Sequence, residues 1–182
     1  AEDHRFYSHP GIDLLAILRA IKSNLIEGHI VSGASTLTQQ LSRLTYPRKR
    51  TYYDKLVELI RSLRIEWLLD KEQILELYLN KVPLGNNLVG IKAGSKVYFG
   101  KALSRLTNSE AALLASLPKA PGKLSPYGRN VPSLIDRRNW VLKQMYEYGH
   151  ISSEEMETSL QTMPFIKPKS FPFNAPHFIN QV

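Results

Sequence analysis

Apolar residues in this chain recur mostly at helical spacing and rarely in the two-residue alternation of a half-buried strand, so the pattern predicts a mostly α fold. Leu37, Leu41 and Leu44 form one stripe. Beside it, Thr36, Gln40 and Arg43 fall at i, i+4 and i+7 and project a hydroxyl, a carboxamide and a guanidinium from a single face. From Thr51 to Leu69, Leu56, Ile60, Leu63 and Trp67 recur at i, i+4, i+7 and i+11. This predicts a helix with a core-facing stripe, with Lys55, Glu58 and Arg61 on another face. Asp13 to Ile26 carries Leu14, Leu15, Ile17, Leu18, Ile21 and Leu25, an apolar face too broad for a modest surface helix. Such a helix either packs on two sides or touches lipid.

Capping signals delimit further helices. Asp70 with Gln73, Thr107 with Glu110 and Ser152 with Glu155 each have the form of a capping box, predicting helices near 71–80, 108–117 and 153–161. Asn130 to Tyr148 is another, ended by Gly149, with Trp140 and Met145 expected to face inward. Pro83, Gly85, Asn86 and Asn87 mark a loop between Asn80 and Gly90, and prolines and glycines mark a second between Pro118 and Pro132. From Met163 onward, Pro164, Pro168, Pro172 and Pro176 recur every four residues, which blocks helix and central strand alike. The division is therefore a domain over 1–162 and a Pro-rich linker over 163–182.

Composition narrows the picture. A chain of 182 residues, 43% of them hydrophobic, suits one domain with a sizeable core. No stretch reaches the roughly 20 apolar residues a membrane span needs, and the chain opens inside a charged motif, as expected of a piece of a longer protein. The formal charge of +8 favours anionic partners, and it is concentrated: Arg43 to Arg64 holds seven cations against two acids. The absence of cysteine rules out disulfides and Cys-ligated metal without locating the protein.

Five ordered blocks then carry a resemblance. Gly33 to Gln40 reads Gly-Ala-Ser-Thr-Leu-Thr-Gln-Gln and resembles the GxSTxTQQ motif of the peptidoglycan glycosyltransferases found in class A penicillin-binding proteins. Glu2, Asp3, Phe6, His9 and Gly11 are similar to that family's opening EDxxFxxHxG block, and Lys55 to Glu58 to the second half of its RKxxE block. Ile74 to Asn80, Gly85, Gly90-Ile91 and Tyr98 to Lys101 resemble its fourth block, and Leu106 to Ala115 with Pro118 and Pro121 its fifth. Ile30 to Gly33 and Ala175 to Phe178 point toward the penicillin-binding protein 1C branch.

The resemblance implies a lysozyme-like helical domain with a smaller membrane-facing lobe. Its activity would be inverting transfer of a growing glycan, carried on undecaprenyl pyrophosphate, to lipid II, making β-1,4 links. Glu2 takes the position of the catalytic base that deprotonates the acceptor 4-hydroxyl; without its block it reads as a solvated acid at a chain end. Glu58 is the second catalytic carboxylate and the metal-ligand candidate. Asp3, Phe6, His9, Ser35, Thr36, Gln39, Gln40, Arg43, Arg48, Arg50 and Lys55 fall at substrate-binding positions, Phe6 and His9 chiefly as supports. Arginine at 43, where lysine is common, keeps the charge and adds a fork for phosphate oxygens. Ser35 or Thr36 also caps the helix, whose first amides suit an anion. No covalent cofactor is called for, and a divalent cation, Mg²⁺ or Mn²⁺, is compatible. Implied partners are lipid II, the membrane surface, moenomycin-type inhibitors and other cell-wall synthesis proteins, with no nucleic acid. The implied location is the outer, periplasmic face of the bacterial cytoplasmic membrane.

One position departs from the pattern: Asp54 stands where arginine usually precedes Lys55, and a carboxylate there repels phosphate. It leaves open a scaffold with a weakened site. A lytic muramidase is the rival enzyme, although a neutral glycan does not call for the cations between Arg43 and Arg64. A basic nucleic-acid module accounts for the charge but not for the Glu2 block.

Overall fold

The computed structural model describes residues 2–28, 34–47 and 51–169. Its helices are α1 (Leu14–Glu27), α2 (Leu37–Thr45), α3 (Tyr52–Leu68), α4 (Lys71–Lys81), α5 (Ile91–Gly94), α6 (Asn108–Ser116), α7 (Val131–Glu147) and α8 (Ser153–Gln161), with α5 continuing into a π-helical turn over Ser95–Phe99. Among the described residues no strand forms beyond an isolated bridge between Pro83 and Val89. The helices begin where side chains satisfy their free amides: Asp13, Thr36 and Thr51 cap α1, α2 and α3, and reciprocal capping boxes open α4, α6 and α8.

The main core joins Phe6 from the opening loop, Leu37 and Leu41 of α2, Ile74 and Tyr78 of α4, Tyr98 and Phe99 of the π turn, Leu113 and Leu114 of α6 and Leu134 of α7. A second cluster, Ala112, Val141, Leu142 and Ile151 with Met145 and Met156, binds α6, α7 and α8. Between α4 and α5 the chain doubles back through Gly85, Asn86 and Asn87, all at positive φ, and Gly90 at φ 82°. A Cβ on Gly90 would stand 2.7 Å from the Asn80 carbonyl oxygen, so the return against α4 requires glycine there.

Two expectations change, and the two-way reading of α1 is narrowed. Leu56, Ile60, Leu63 and Trp67 face outward, Trp67 84% exposed. The side of α3 that packs is instead Ser62, Ile65, Glu66 and Leu69, the same helical period one step round, because the opening loop presses its backbone onto Ser62 and Glu66. α1 packs on one side only: of its described side chains Ala16 and Ala20 are buried, while Leu14, Leu18, Ile21 and Leu25 are exposed. Trp140 is 39% exposed, covered by the Arg137 guanidinium 4.0 Å from its ring centre, whereas Met145 does face inward.

The Pro-rich tail does not leave the domain at Met163. Ile166 packs against the core, the Lys167 amide donates to the Tyr98 carbonyl (2.8 Å), and the Tyr127 hydroxyl donates to the Lys167 carbonyl (2.8 Å). Residues 170–182, with the rest of the expected linker, lie outside the described residues.

Urea unfolding tests the reversed stripe. Ile74→Ala, at a fully buried site, is expected to cost about 2–5 kcal/mol. Trp67→Ala is expected to stay within about 0.5 kcal/mol; a multi-kcal loss at Trp67 would place that stripe back in a core.

Candidate active site

The loop from Glu2 to Asp13 is held by its own polar side chains. The Asp3 carboxylate accepts from the Leu37 amide at 3.0 Å, at the first turn of α2, and is bonded to His9 Nε2 at the same distance. Thr36, while capping α2, donates its hydroxyl to the Gly11 carbonyl (2.7 Å), and Gln39 Nε2 reaches the same carbonyl at 3.4 Å. Arg5 forks onto Asp13, the cap of α1. Burial pushes the Asp13 carboxyl upward, but the Ala16 amide and the Arg5 guanidinium outweigh it and hold it below the ordinary carboxylate range.

Several residues at the expected substrate-binding positions are turned inward. Phe6 is in the core, and the side chains of Asp3, His9 and Thr36 are buried: Asp3 is bonded to His9 Nε2 and to the α2 terminus and Thr36 to backbone, while His9 Nδ1 has no partner among the described residues. They position the site. Gln39 is buried too, but its Oε1 accepts from Lys55 Nζ at 3.2 Å.

Lys55 opens the second part, a cleft of about 770 Å³ between α2 and α3. Its ammonium is 2.5 Å from Glu58 Oε1 and 3.1 Å from Ser35 Oγ, and Arg43 Nη1 lies 3.9 Å from Glu58. Arg61 enters from the next turn of α3, its guanidinium 4.7 Å above the Tyr46 ring. Ser35, Arg43, Lys55 and Glu58 are thus brought together, while Arg48 and Arg50 lie outside the described residues. Gln40 turns the other way, accepting from the Tyr78 hydroxyl at 3.2 Å. Burial first, and the Glu2 charge second, push the Tyr78 phenol upward while Arg43 pulls it back, so Tyr78 stays a neutral donor between the two.

Asp54 lines the cleft, and its geometry explains it. It occupies the first turn of α3, where the helix dipole favours an acid, and accepts from the Thr51 hydroxyl at 2.6 Å while Thr51 caps its amide. The Glu58 surroundings do not fit a metal built from the chain's own residues: Lys55 and Arg43 already neutralise its carboxylate. Among the described residues the one trio with metal-ligand spacing is Asp3, His9 and Asp13, whose carboxylates are already engaged with His9, Leu37, Arg5 and Ala16.

Glu2 lies outside the cleft and shares with Ser35 the border of a small cavity of about 20 Å³. It also edges an apolar cavity of about 270 Å³ lined by Leu75, Leu79, Ile91 and Leu114 among others. Its Oε1 accepts from Arg137 Nη2 of α7 at 3.0 Å. Arg137 joins the site without a motif of its own, whereas Tyr78 falls in the fourth block and Arg61 on the helical face of Lys55 and Glu58. Helical phase brings Arg61 beside Lys55 and Glu58, whereas only the tertiary fold brings Arg137 to a residue 135 positions away.

Comparison with known proteins agrees with this geometry. The transglycosylase family model matches residues 1–146. Penicillin-binding protein 1A of Aquifex aeolicus is 42% identical over 182 residues, 100% of this chain and 25% of the relative. Penicillin-binding protein 1C of Escherichia coli is 41% identical over 177 residues, 97% of this chain and 23% of the relative. These near-equal matches do not single out the 1C branch, and the segments that suggested it lie outside the described residues. The crystal structure of penicillin-binding protein 1A from Haemophilus influenzae superposes with a TM-score of 0.51 and 32% identity over 72% of this chain and 17% of that one. The chain spans about a quarter of the length of the curated relatives it matches. By family model, by relatives and by its lysozyme-like helical architecture, the chain belongs to the transglycosylase family.

Proposed function

We propose that the chain is a peptidoglycan glycosyltransferase domain that polymerises lipid II into β-1,4-linked glycan and releases undecaprenyl pyrophosphate. The observation that carries this reading is the cleft lined by Arg43, Lys55, Arg61 and Ser35, the last of which also borders, with Glu2, the small neighbouring cavity. Glycosyl transfer from a diphosphate lipid has two electrostatic demands. The acceptor hydroxyl must lose a proton, and the departing pyrophosphate gains negative charge. Glu2 meets the first by taking the proton of the acceptor 4-hydroxyl as its oxygen attacks the donor anomeric carbon from the face opposite the leaving group. The cleft cations meet the second, with Glu58 holding Lys55 and Arg43 in place until phosphate oxygens compete for them. A muramidase acting on neutral glycan has no use for three cations in one cleft, so the geometry favours the transferase.

The lipid moiety has a matching surface. No helix among the described residues is long and apolar enough to cross a membrane. α1 and α3 nevertheless expose Leu14, Leu18, Ile21 and Leu25, and Leu56, Ile60 and Trp67, on the helices that precede and follow α2 in the chain. Such faces suit shallow burial at a bilayer boundary while the cationic cleft meets headgroup phosphates. In this reading the domain works on the outer face of the bacterial cytoplasmic membrane.

Labelled lipid II supplies the main test. Glu2→Gln is expected to cut chain formation by about 100-fold or more, the scale of a lost general base, with moenomycin affinity retained because the phosphate cleft is untouched. Activity within a few-fold of the parent would remove Glu2 from the mechanism. The membrane reading predicts that Leu18→Asp with Leu25→Asp abolishes sedimentation with anionic liposomes while the melting temperature stays put, since both leucines are exposed already. Unchanged liposome binding would contradict it.

A further inference from the structure

We propose that Arg137 is the positioning residue for Glu2, fixing the carboxylate so that one oxygen is held and the other is presented to the acceptor hydroxyl. The proposal rests on Glu2 being the base. Arg137 Nη2 donates to Glu2 Oε1 at 3.0 Å, and among the described residues this is the one hydrogen bond made by the Glu2 side chain, leaving Oε2 for the incoming proton. Elsewhere Glu2 borders the cavity walled by Leu75, Leu79 and Leu114, where the Tyr78 hydroxyl is spent on Gln40 Oε1 (3.2 Å) and not on Glu2.

The guanidinium is itself placed. It stacks on Trp140, 4.0 Å from the ring centre, an arrangement that a planar cation makes and an ammonium does not reproduce. Its helix is rooted by the next residue: Arg138, 1% exposed, donates to Ser109 Oγ (3.0 Å), the Thr162 carbonyl (2.9 Å), the Leu160 carbonyl (3.1 Å) and Asn139 Oδ1 (2.6 Å). Two adjacent arginines thus divide the work. Arg138 locks α7 to α6 and to the segment after α8, and Arg137 carries that rigidity to the head of the opening loop. A base held by a rigid second layer keeps the near-attack geometry that a free glutamate side chain samples only in part.

Steady-state polymerisation of lipid II by Glu2→Gln, Arg137→Ala, Arg137→Lys and the Glu2→Gln/Arg137→Ala double variant tests this. Arg137→Ala is expected to lower kcat about 10- to 100-fold, the scale of a misplaced reacting group, with KM and moenomycin Kd within about twofold of the parent. Guanidinium ion at millimolar concentration should restore part of the lost rate, by refilling the space between Trp140 and Glu2. Arg137→Lys should fall between Arg137→Ala and the parent. In the Glu2→Gln background, removing Arg137 should cost no more than about twofold, because a residue acting through Glu2 has nothing left to act on. Should Arg137→Ala fail to fold, Arg137→Gln carries the same comparison. A kcat within twofold of the parent for Arg137→Ala, beside an inactive Glu2→Gln, overturns the proposal and leaves the base standing. A further large loss in the Glu2→Gln background, or loss of moenomycin binding with Arg137→Ala, overturns it as well. An active Glu2→Gln removes the underlying reading instead.

Discussion

The ammonium of Lys71 is the point at which the opening loop, α2, α3 and α4 meet. It pairs with Glu66 at 2.7 Å, donates to the His9 carbonyl at 2.6 Å and lies 4.5 Å from the centre of the Phe6 ring. Glu66 in turn accepts from the Thr38 hydroxyl of α2. With the two side chains only 19% and 8% exposed, neither charge can be stranded cheaply; breaking a buried pair of this kind costs about 3–5 kcal/mol. Such a pair adds less to net stability than its Coulomb energy suggests, but it admits one arrangement of the four elements and penalises the others.

Gly11 lets that arrangement close. Its φ of 80° turns the chain toward α1, and a Cβ there would stand 2.9 Å from Glu66 Cγ and 3.2 Å from the Ser62 carbonyl oxygen. The same residue supplies the carbonyl that Thr36 and Gln39 bond. One glycine therefore fixes the height of the opening loop over α3 and its register against the start of α2. Glu2 at one end of that loop and Lys55 on the neighbouring helix inherit their separation from it. This is why so many residues of the two sequence blocks face inward: Asp3, Phe6, His9, Thr36 and Gln39 hold the geometry, while Ser35, Arg43, Lys55 and Glu58 face the cleft and Glu2 borders the cavities beside it.

Helix positions were legible in the sequence because capping is local. Asp70, Thr107 and Ser152 each find their partner three residues on, and the structure starts α4, α6 and α8 where those pairs place them. The buried side of α3 was not legible. Leu56, Ile60, Leu63 and Trp67 are the more apolar stripe, yet Ser62 and Glu66 are the residues that pack, since a polar network from another part of the chain outcompetes hydrophobicity for that face. An exposed apolar stripe and a buried polar one on the same helix are physically consistent if the exposed side meets lipid, which periodicity alone does not reveal. Site residues divide the same way. Lys55 and Glu58 announce themselves by i, i+3 spacing, whereas the Glu2 and Arg137 contact spans nearly the whole domain and exists only once α7 has packed.

Glu2 and the cations of α2 and α3 are claimed to form one site around a single diphosphate-linked sugar. A crystal structure of the protein with moenomycin bound tests this most directly. The account predicts the inhibitor's phosphate between Arg43, Lys55 and Arg61, beside Ser35, with its saccharide chain running past Ser35 toward the Glu2 carboxylate. A phosphate seated away from these three cations, or a saccharide leading away from Glu2, would contradict it.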